Sequence, residues 1–318
     1  MNKRNLLYSS LYLFLCLIGI FSQNLISQIG KPKIKNYLCD INSSSKVKSS
    51  RRDVMLFYST SDGKGLRLAI QSLRSTGSLC RIILFISSTF SITNDFNDFA
   101  SALHVEVIYN CDEKNDRSFN PHMLRFEYEK QWIIEHLHEI DRVFHSDVFD
   151  VFFQGDPFSN HVKKDKLTFI VEPHCVRSCG WNFAWTLACY NESGLNRMRH
   201  TYIACSGTIA GSVKDYLKLI HLMINQVEWK RCWNPSYDQP IFNWLLWNGI
   251  IKDNGIKYEL AGCDSGFFTM QWCVLEKNVL INQHDQVISN LGSVPTYLHQ
   301  YNRIPGFEDV LFKKCHLI

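Results

Sequence analysis

From Arg51 onward, apolar runs of strand length alternate with segments of helical period. VMLFY (Val54 to Tyr58) is a continuous apolar run and predicts a buried strand. GLRLAIQSLRS follows, with Leu66, Ala69, Ile70 and Leu73 spaced along one helical face. The alternation then repeats through a strand at Arg81 to Ser87, a short helix in DFNDFASAL and a strand at Val105 to Tyr109. A long helix over His122 to Ile140 and a fourth strand, RVFHS (Arg142 to Ser146), complete it. Strands alternating with helices predict an α/β fold, a mainly parallel sheet with helices on both faces. Sheets of this kind bind ligands beyond the carboxyl ends of their strands.

After Phe158 the alternation loosens. LTFIV (Leu167 to Val171) and YIACSGTIAGS (Tyr202 to Ser212) read as strands on either side of a Cys- and Trp-rich region. VKDYLKLIHLMINQVEW and DQPIFNWLLWNG read as helices, and short strands are expected between Tyr258 and Tyr301. The chain has no internal repeat, and the GKG at Gly63 to Gly65 has neither phosphate-loop nor dinucleotide spacing, which argues against kinases and dehydrogenases.

Composition adds that 318 residues at 46% hydrophobic content suffice for a buried core. A formal charge of +4, spread along the chain, gives no nucleic-acid footprint. Lys3 and Arg4 precede an uncharged apolar run, Leu6 to Ser22, that is near the minimum for a membrane span. A type II signal anchor is expected, with residues 1–5 cytoplasmic and 6–22 in the membrane; a cleaved signal peptide is the alternative. Residues 23–50, polar, basic and Ser-rich, read as a stem or linker, and 51–318 as the lumenal domain. Twelve cysteines and sequons at Asn42 and Asn191 fit an oxidising lumen, so the expected location is the Golgi or ER membrane, or outside the cell after cleavage. The Cys175-x3-Cys179 pair favours a disulfide over zinc, because no second pair follows at finger spacing.

The stretch RVFHSDVFDVFFQGDPF sets Asp147, Asp150 and Asp156 among Val and Phe side chains. A carboxylate on an apolar shelf stays charged only if paired, hydrogen-bonded or metal-bound. Asp147 and Asp150 follow a predicted strand and, three residues apart in a turn, can converge on a hard divalent cation, Mn²⁺ or Mg²⁺. Turn residues facing solvent are the alternative. Asp156, before Pro157, reads as a turn residue. The aromatics Trp181, Phe183, Trp185, Trp229, Trp233, Trp244 and Trp247 read either as core or as stacking surfaces for sugar rings.

Several segments in order resemble one family. D-x-x-D-V-F-F-Q-G-D-P-F, the preceding RFEYEKQW, CSGTIAGSVKDYLKLIHLM, YDQPIFNWLL and YLHQYNR together resemble the GT-A-fold nucleotide-sugar glycosyltransferases, and more distantly the retaining glycogenin and galactosyltransferase-like enzymes. The match runs from about Asp53 to Arg303. It implies a metal site of Asp147, Asp150 and His299 that holds Mn²⁺ or Mg²⁺, with Asp147, Arg125 and Gly207 binding the nucleotide-sugar donor. It places Asp238 and Gln239 beside the anomeric carbon, although Asp238 also suits a helix N-cap. The implied activity is hexose transfer to a glycan, protein or lipid acceptor, retention being the better match and inversion open. The chain departs from the family at the D-x-x-D spacing, at Phe149, at Cys205 and at Asn302. An inactive membrane-anchored sugar- or nucleotide-binding protein is therefore the alternative.

Overall fold

The computed structural model describes residues 37–112, 118–234 and 236–317. The apolar run 6–22 lies outside them, and among the described residues no helix is long and apolar enough to cross a membrane. The chain folds as an α/β unit around a seven-stranded, mostly parallel sheet. Its strands are β1 (Asp53–Ser59), β2 (Arg81–Ile86), β3 (Val105–Ile108), β4 (Arg142–Ser146), β6 (Leu167–Cys175), β7 (Tyr202–Ser212) and β8 (Tyr258–Ala261). They lie in the order β3-β2-β1-β4-β7-β6-β8. The first four are mutually parallel, β7 runs against both β4 and β6, and β8 is parallel to β6.

Helices cover both faces because β1 is apolar at every pleat. Val54, Leu56 and Tyr58 enter one apolar cluster and Met55 and Phe57 another. Helices α1 (Lys64–Ser75) and α2 (Asn94–Ala102) close the Met55 side. The other side is closed by α3 (Pro121–His136), α5 (Val213–Ile224) and α6 (Asp238–Trp247). Local chemistry starts these helices where the pattern predicts. Thr93, Asn120 and Ser212 each accept a backbone N–H of their own first turn, and Pro121 opens α3. The Cys- and Trp-rich region, for which the pattern gave no element, is helix α4 (Gly180–Met198), broken by Asn191 at φ 58°.

A second sheet places the C-terminal motif. β10 (Tyr297–His299) lies between β5 (Val151–Phe153) and β9 (Phe267–Thr269), antiparallel to the first and parallel to the second. Its register sets His299 opposite Val151, one residue beyond Asp150.

The polar stretch read as linker belongs, from Cys39 onward, to the folded unit. Cys39 is bonded to Cys315, and Ser44 N–H donates to Gln154 O at 2.7 Å. The Lys48 and Ser49 N–H groups donate to Asp156 Oδ2, each at 2.7 Å. Asp156 is a turn residue, as its place before Pro157 predicts, accepting the Phe158 N–H at Oδ1 and the Ser159 N–H at its carbonyl, but it is fully buried and also accepts from Ser78 Oγ, so it anchors the preceding segment as well. Two further disulfides join Cys189 to Cys232 and Cys263 to Cys273. Cys175 and Cys179 are both free thiols, contrary to the pairing their spacing favoured. Each has found a local hydrogen bond instead, Cys175 with Ser178 and Cys179 with the Asn182 amide.

Candidate metal centre and its cleft

Asp147 begins where β4 ends, at the carboxyl edge of the parallel strands. Its N–H donates to Gly207 O at 2.8 Å, which fixes the turn against β7. Gly207 is glycine for a steric reason: a Cβ there would lie 2.1 Å from Asp147 Oδ2. The rest of the turn is held from three sides. Tyr301 Oη donates to Phe149 O at 3.0 Å, and Gln300 N–H donates to Asp150 O at 2.8 Å. Gly65, in the first turn of α1, lies so close that a Cβ would come within 2.1 Å of Phe149 O. The GKG sequence therefore serves as the seat of the acidic turn.

Asp147, Asp150 and His299 each present a ligand atom within 4.8 Å of the others. The His299 ring is buried, and its Nε2 lies 3.3 Å from Asp147 Oδ2 and 3.6 Å from Asp150 Oδ1. Neither approach has hydrogen-bond geometry, so Nε2 is a buried polar atom without a hydrogen-bond partner among the described residues. Burial opposes protonation of this ring. The Asp150 and Asp147 carboxylates beside it outweigh burial and raise its pKa above the imidazole value. Two carboxylates and an imidazole converging on one point, with Nε2 lacking a hydrogen-bond partner among the described residues, could hold a metal ion.

Arg125, on α3, spans the other side of Asp147. Its Nη1 donates to Asp147 Oδ1 at 2.5 Å and its Nη2 to Asp238 Oδ2 at 2.7 Å, with Nε lacking a hydrogen-bond partner among the described residues. Burial raises the Asp147 pKa, but Arg125 and then His299 outweigh it and hold this carboxylate far below the usual range. Asp238 stands in the first turn of α6, and Tyr237 rather than Asp238 is the N-cap residue. Gln239 accepts from Ser206 N–H at 3.2 Å and donates to Asn182 Oδ1 at 2.7 Å. Asn243, one helical turn further, bonds both backbone groups of Ala204 and so pins α6 to β7.

Asp147, Asp150, Arg125, Gly207, Asp238 and Gln239 line a cleft of about 800 Å³, walled also by Glu172, Trp181, Asn182, Trp185, Tyr237 and Trp272, with His299 buried behind the two acids. Glu172 was not singled out in the sequence. The predicted strand ended at Val171, whereas β6 continues to Cys175 and carries the carboxylate to the cleft. A lone acid at the carboxyl end of a strand was the available signal. Glu172 is 3% exposed, and among the described residues no hydrogen bond reaches its carboxylate. His174 Nε2 lies 3.4 Å from Oε2, but burial lowers the His174 pKa and favours its neutral ring. Burial pushes the Glu172 pKa up to about 7, against a smaller lowering by His299.

The cleft thus gathers Asp147, Asp150, His299, Arg125, Gly207, Asp238 and Gln239 at one edge of the sheet. Of the aromatics, Trp181 and Trp185 face the cleft, whereas Trp229 and Trp233 are buried in the core. Comparison with protein-family models and with curated proteins gives no match.

Proposed function

We propose that the protein is a metal-dependent glycosyltransferase of GT-A architecture that moves a hexose from a nucleotide-diphospho-sugar to an acceptor hydroxyl in the secretory pathway. The observation that carries this reading is the convergence of Asp147, Asp150 and the unmet Nε2 of His299 at the carboxyl edge of the sheet, inside a cleft of about 800 Å³. Asp147, Asp150 and His299 would hold a divalent cation, Mn²⁺ or Mg²⁺, which supplies Lewis-acid neutralisation of the departing diphosphate.

The chain's own residues support the same reading. Arg125 is committed to Asp147 and Asp238, so it holds the acidic turn and α6 in place in addition to adding positive charge. Asp238 is engaged by Arg125, while Gln239 keeps its amide on the wall of the cleft. Three disulfides agree with a lumenal domain, and the apolar run before it would be the type II anchor in the ER or Golgi membrane.

The test is Mn²⁺-dependent turnover over a panel of UDP- and GDP-sugars, with melting temperature followed in parallel. Turnover with at least one donor is expected, together with a nucleotide-induced rise in melting temperature. Asp150→Ala should abolish turnover and leave the fold intact. No turnover and no rise across the panel would overturn the proposal. A rise without turnover would select the inactive binding protein that Phe149 and Cys205 suggest. The anomeric configuration of the product, read by NMR, distinguishes retention from inversion.

A further inference from the structure

One continuous segment, Glu172 to Trp185, walls the cleft and takes no part in the cluster of Asp147, Asp150 and His299. It runs from the end of β6 into the first turns of α4. Trp181 and Trp185 stand four residues apart on one helical face, their rings 6.3 Å apart, and Trp185 stacks on Tyr237 at 5.7 Å and 27°. Trp181 is 71% exposed. Leaving a side chain of this size in water forgoes the apolar burial that aromatic side chains otherwise gain, so a ligand that covers it is stabilised. Beside these faces lie the Asn182 and Gln239 amides and Ser206.

Flat apolar faces edged by amides match a sugar ring, which offers a C–H face and a rim of hydroxyls. A lipid chain would cover this polar edge with hydrocarbon and make no hydrogen bond to it, and a peptide bound by strand addition would need a free strand edge. The residues lining the cleft include none from the edge strands β3 or β8. At the start of the same segment, Glu172 is a buried carboxylate that faces the cleft and accepts no hydrogen bond among the described residues. Its neighbour His174 has both ring nitrogens without a hydrogen-bond partner there, and packs on Trp272 at 3.9 Å. A buried carboxylate with unused acceptor capacity is a group that a ligand hydroxyl can satisfy.

We propose that this wall is the acceptor subsite, that the acceptor is a saccharide, and that Glu172 takes the proton of its attacking hydroxyl. The proposal rests on the transferase reading above. The acceptor oxygen bonds to the anomeric carbon of the donor sugar. The bond from that carbon to the diphosphate oxygen breaks, its electron pair leaving on the diphosphate, and the hydroxyl proton passes to the Glu172 carboxylate.

Saturation-transfer NMR on the metal-free protein without nucleotide tests the binding part independently of turnover. The probes are the methyl glycosides of glucose, galactose, mannose, xylose and N-acetylglucosamine, a Ser/Thr peptide and a farnesyl alcohol. Transfer to the ring protons of at least one glycoside is expected, and it should be lost in the Trp181→Ala, Trp185→Ala double variant that retains its circular dichroism. Transfer to no glycoside, transfer that survives the double variant, or transfer to the peptide or alcohol alone would overturn the saccharide assignment. For the proton step, Glu172→Gln should lower kcat by about 10²- to 10⁴-fold with the acceptor KM unchanged. A loss of only a few-fold would remove Glu172 from the chemistry. Should the wild type turn over no donor, the transferase reading and the proton role fall together, and the NMR still decides the saccharide site.

Discussion

Two buried arginine clusters flank the same short strand, β4, and their bookkeeping differs. At its start Arg142 is saturated. Nε and Nη2 donate to the Asp53 carboxylate at 2.6 and 2.8 Å, Nη1 to the Phe158 and Val162 carbonyls at 2.9 Å each, and Nη2 also to Lys48 O at 3.3 Å. At its end Arg125 holds Asp147 and Asp238, but its own Nε, the His299 Nε2 and both His174 nitrogens lack hydrogen-bond partners among the described residues. Native interiors satisfy buried polar groups, so unmet demand around an arginine that lines a cleft marks where a ligand can complete the structure. Both clusters are charged and buried. Only the one at the carboxyl edge is unfinished.

That contrast is broken most forcefully at the finished end. Asp53→Ala leaves the Arg142 guanidinium buried without its carboxylate and should cost about 3–5 kcal/mol in urea unfolding. Mn²⁺ affinity of the folded fraction should be unchanged. A loss under 1 kcal/mol would mean that the cluster is not the anchor its geometry suggests.

The unfinished end should show the opposite sign. The groups facing Glu172 are His174 on its own strand, Cys205 on β7 and His299 on β10. Its carboxyl titrates near 4.5 in the unfolded chain and at about 7 in the folded one. Between those values the folded state holds the extra proton, so stability falls as pH rises through the window, and the deficit is complete above about pH 7. The shift corresponds to about 3 kcal/mol. With chelator present, Glu172→Gln should therefore be the more stable protein by that order at pH 8, with the advantage gone near pH 4.5. A pH-independent difference would contradict the uncompensated carboxylate.

The smallest effect concerns the cation. The carboxylates beside His299 favour its protonated form, so a cation that takes Nε2 competes with a proton, and affinity for Mn²⁺ should rise with pH by up to about tenfold, or ~1.4 kcal/mol, per unit. Calorimetry in buffers of different ionisation enthalpy should register the released proton. A pH-independent affinity with no proton release would exclude His299 as a ligand.

Much of this was legible in the sequence because it is periodic or local. Strands β1 to β4, helices α1 to α3 and the edge position of Asp147 follow from apolar spacing. Resemblance rather than periodicity supplied His299, which β10 delivers by pairing with β5 across a separation no local pattern records. What escaped depends on distant partners. Asp156 was legible as a turn residue but not as a buried anchor, because its donors, Lys48 and Ser49, lie more than a hundred residues earlier. The stretch holding them looked like linker for the same reason, its polar atoms being satisfied by the fold. Helix α4 was hidden by aromatic and Cys-rich composition and by the break at Asn191. Glu172 was hidden because β6 continues through Glu172 and Pro173, past the end of its apolar run.

The insertion of β10 between β5 and β9 has a consequence for biosynthesis. The two acids of the metal centre leave the ribosome about 150 residues before the histidine that completes it, and β10 cannot be placed until both of its neighbours have been made. A nascent chain can therefore assemble the parallel half of its sheet, seat Asp147 against Gly207 and still have no complete cation site. Under the proposed reading, the cation site is complete only once β10 has joined its sheet, so metal loading would report whether a growing chain has been translated through its last motif.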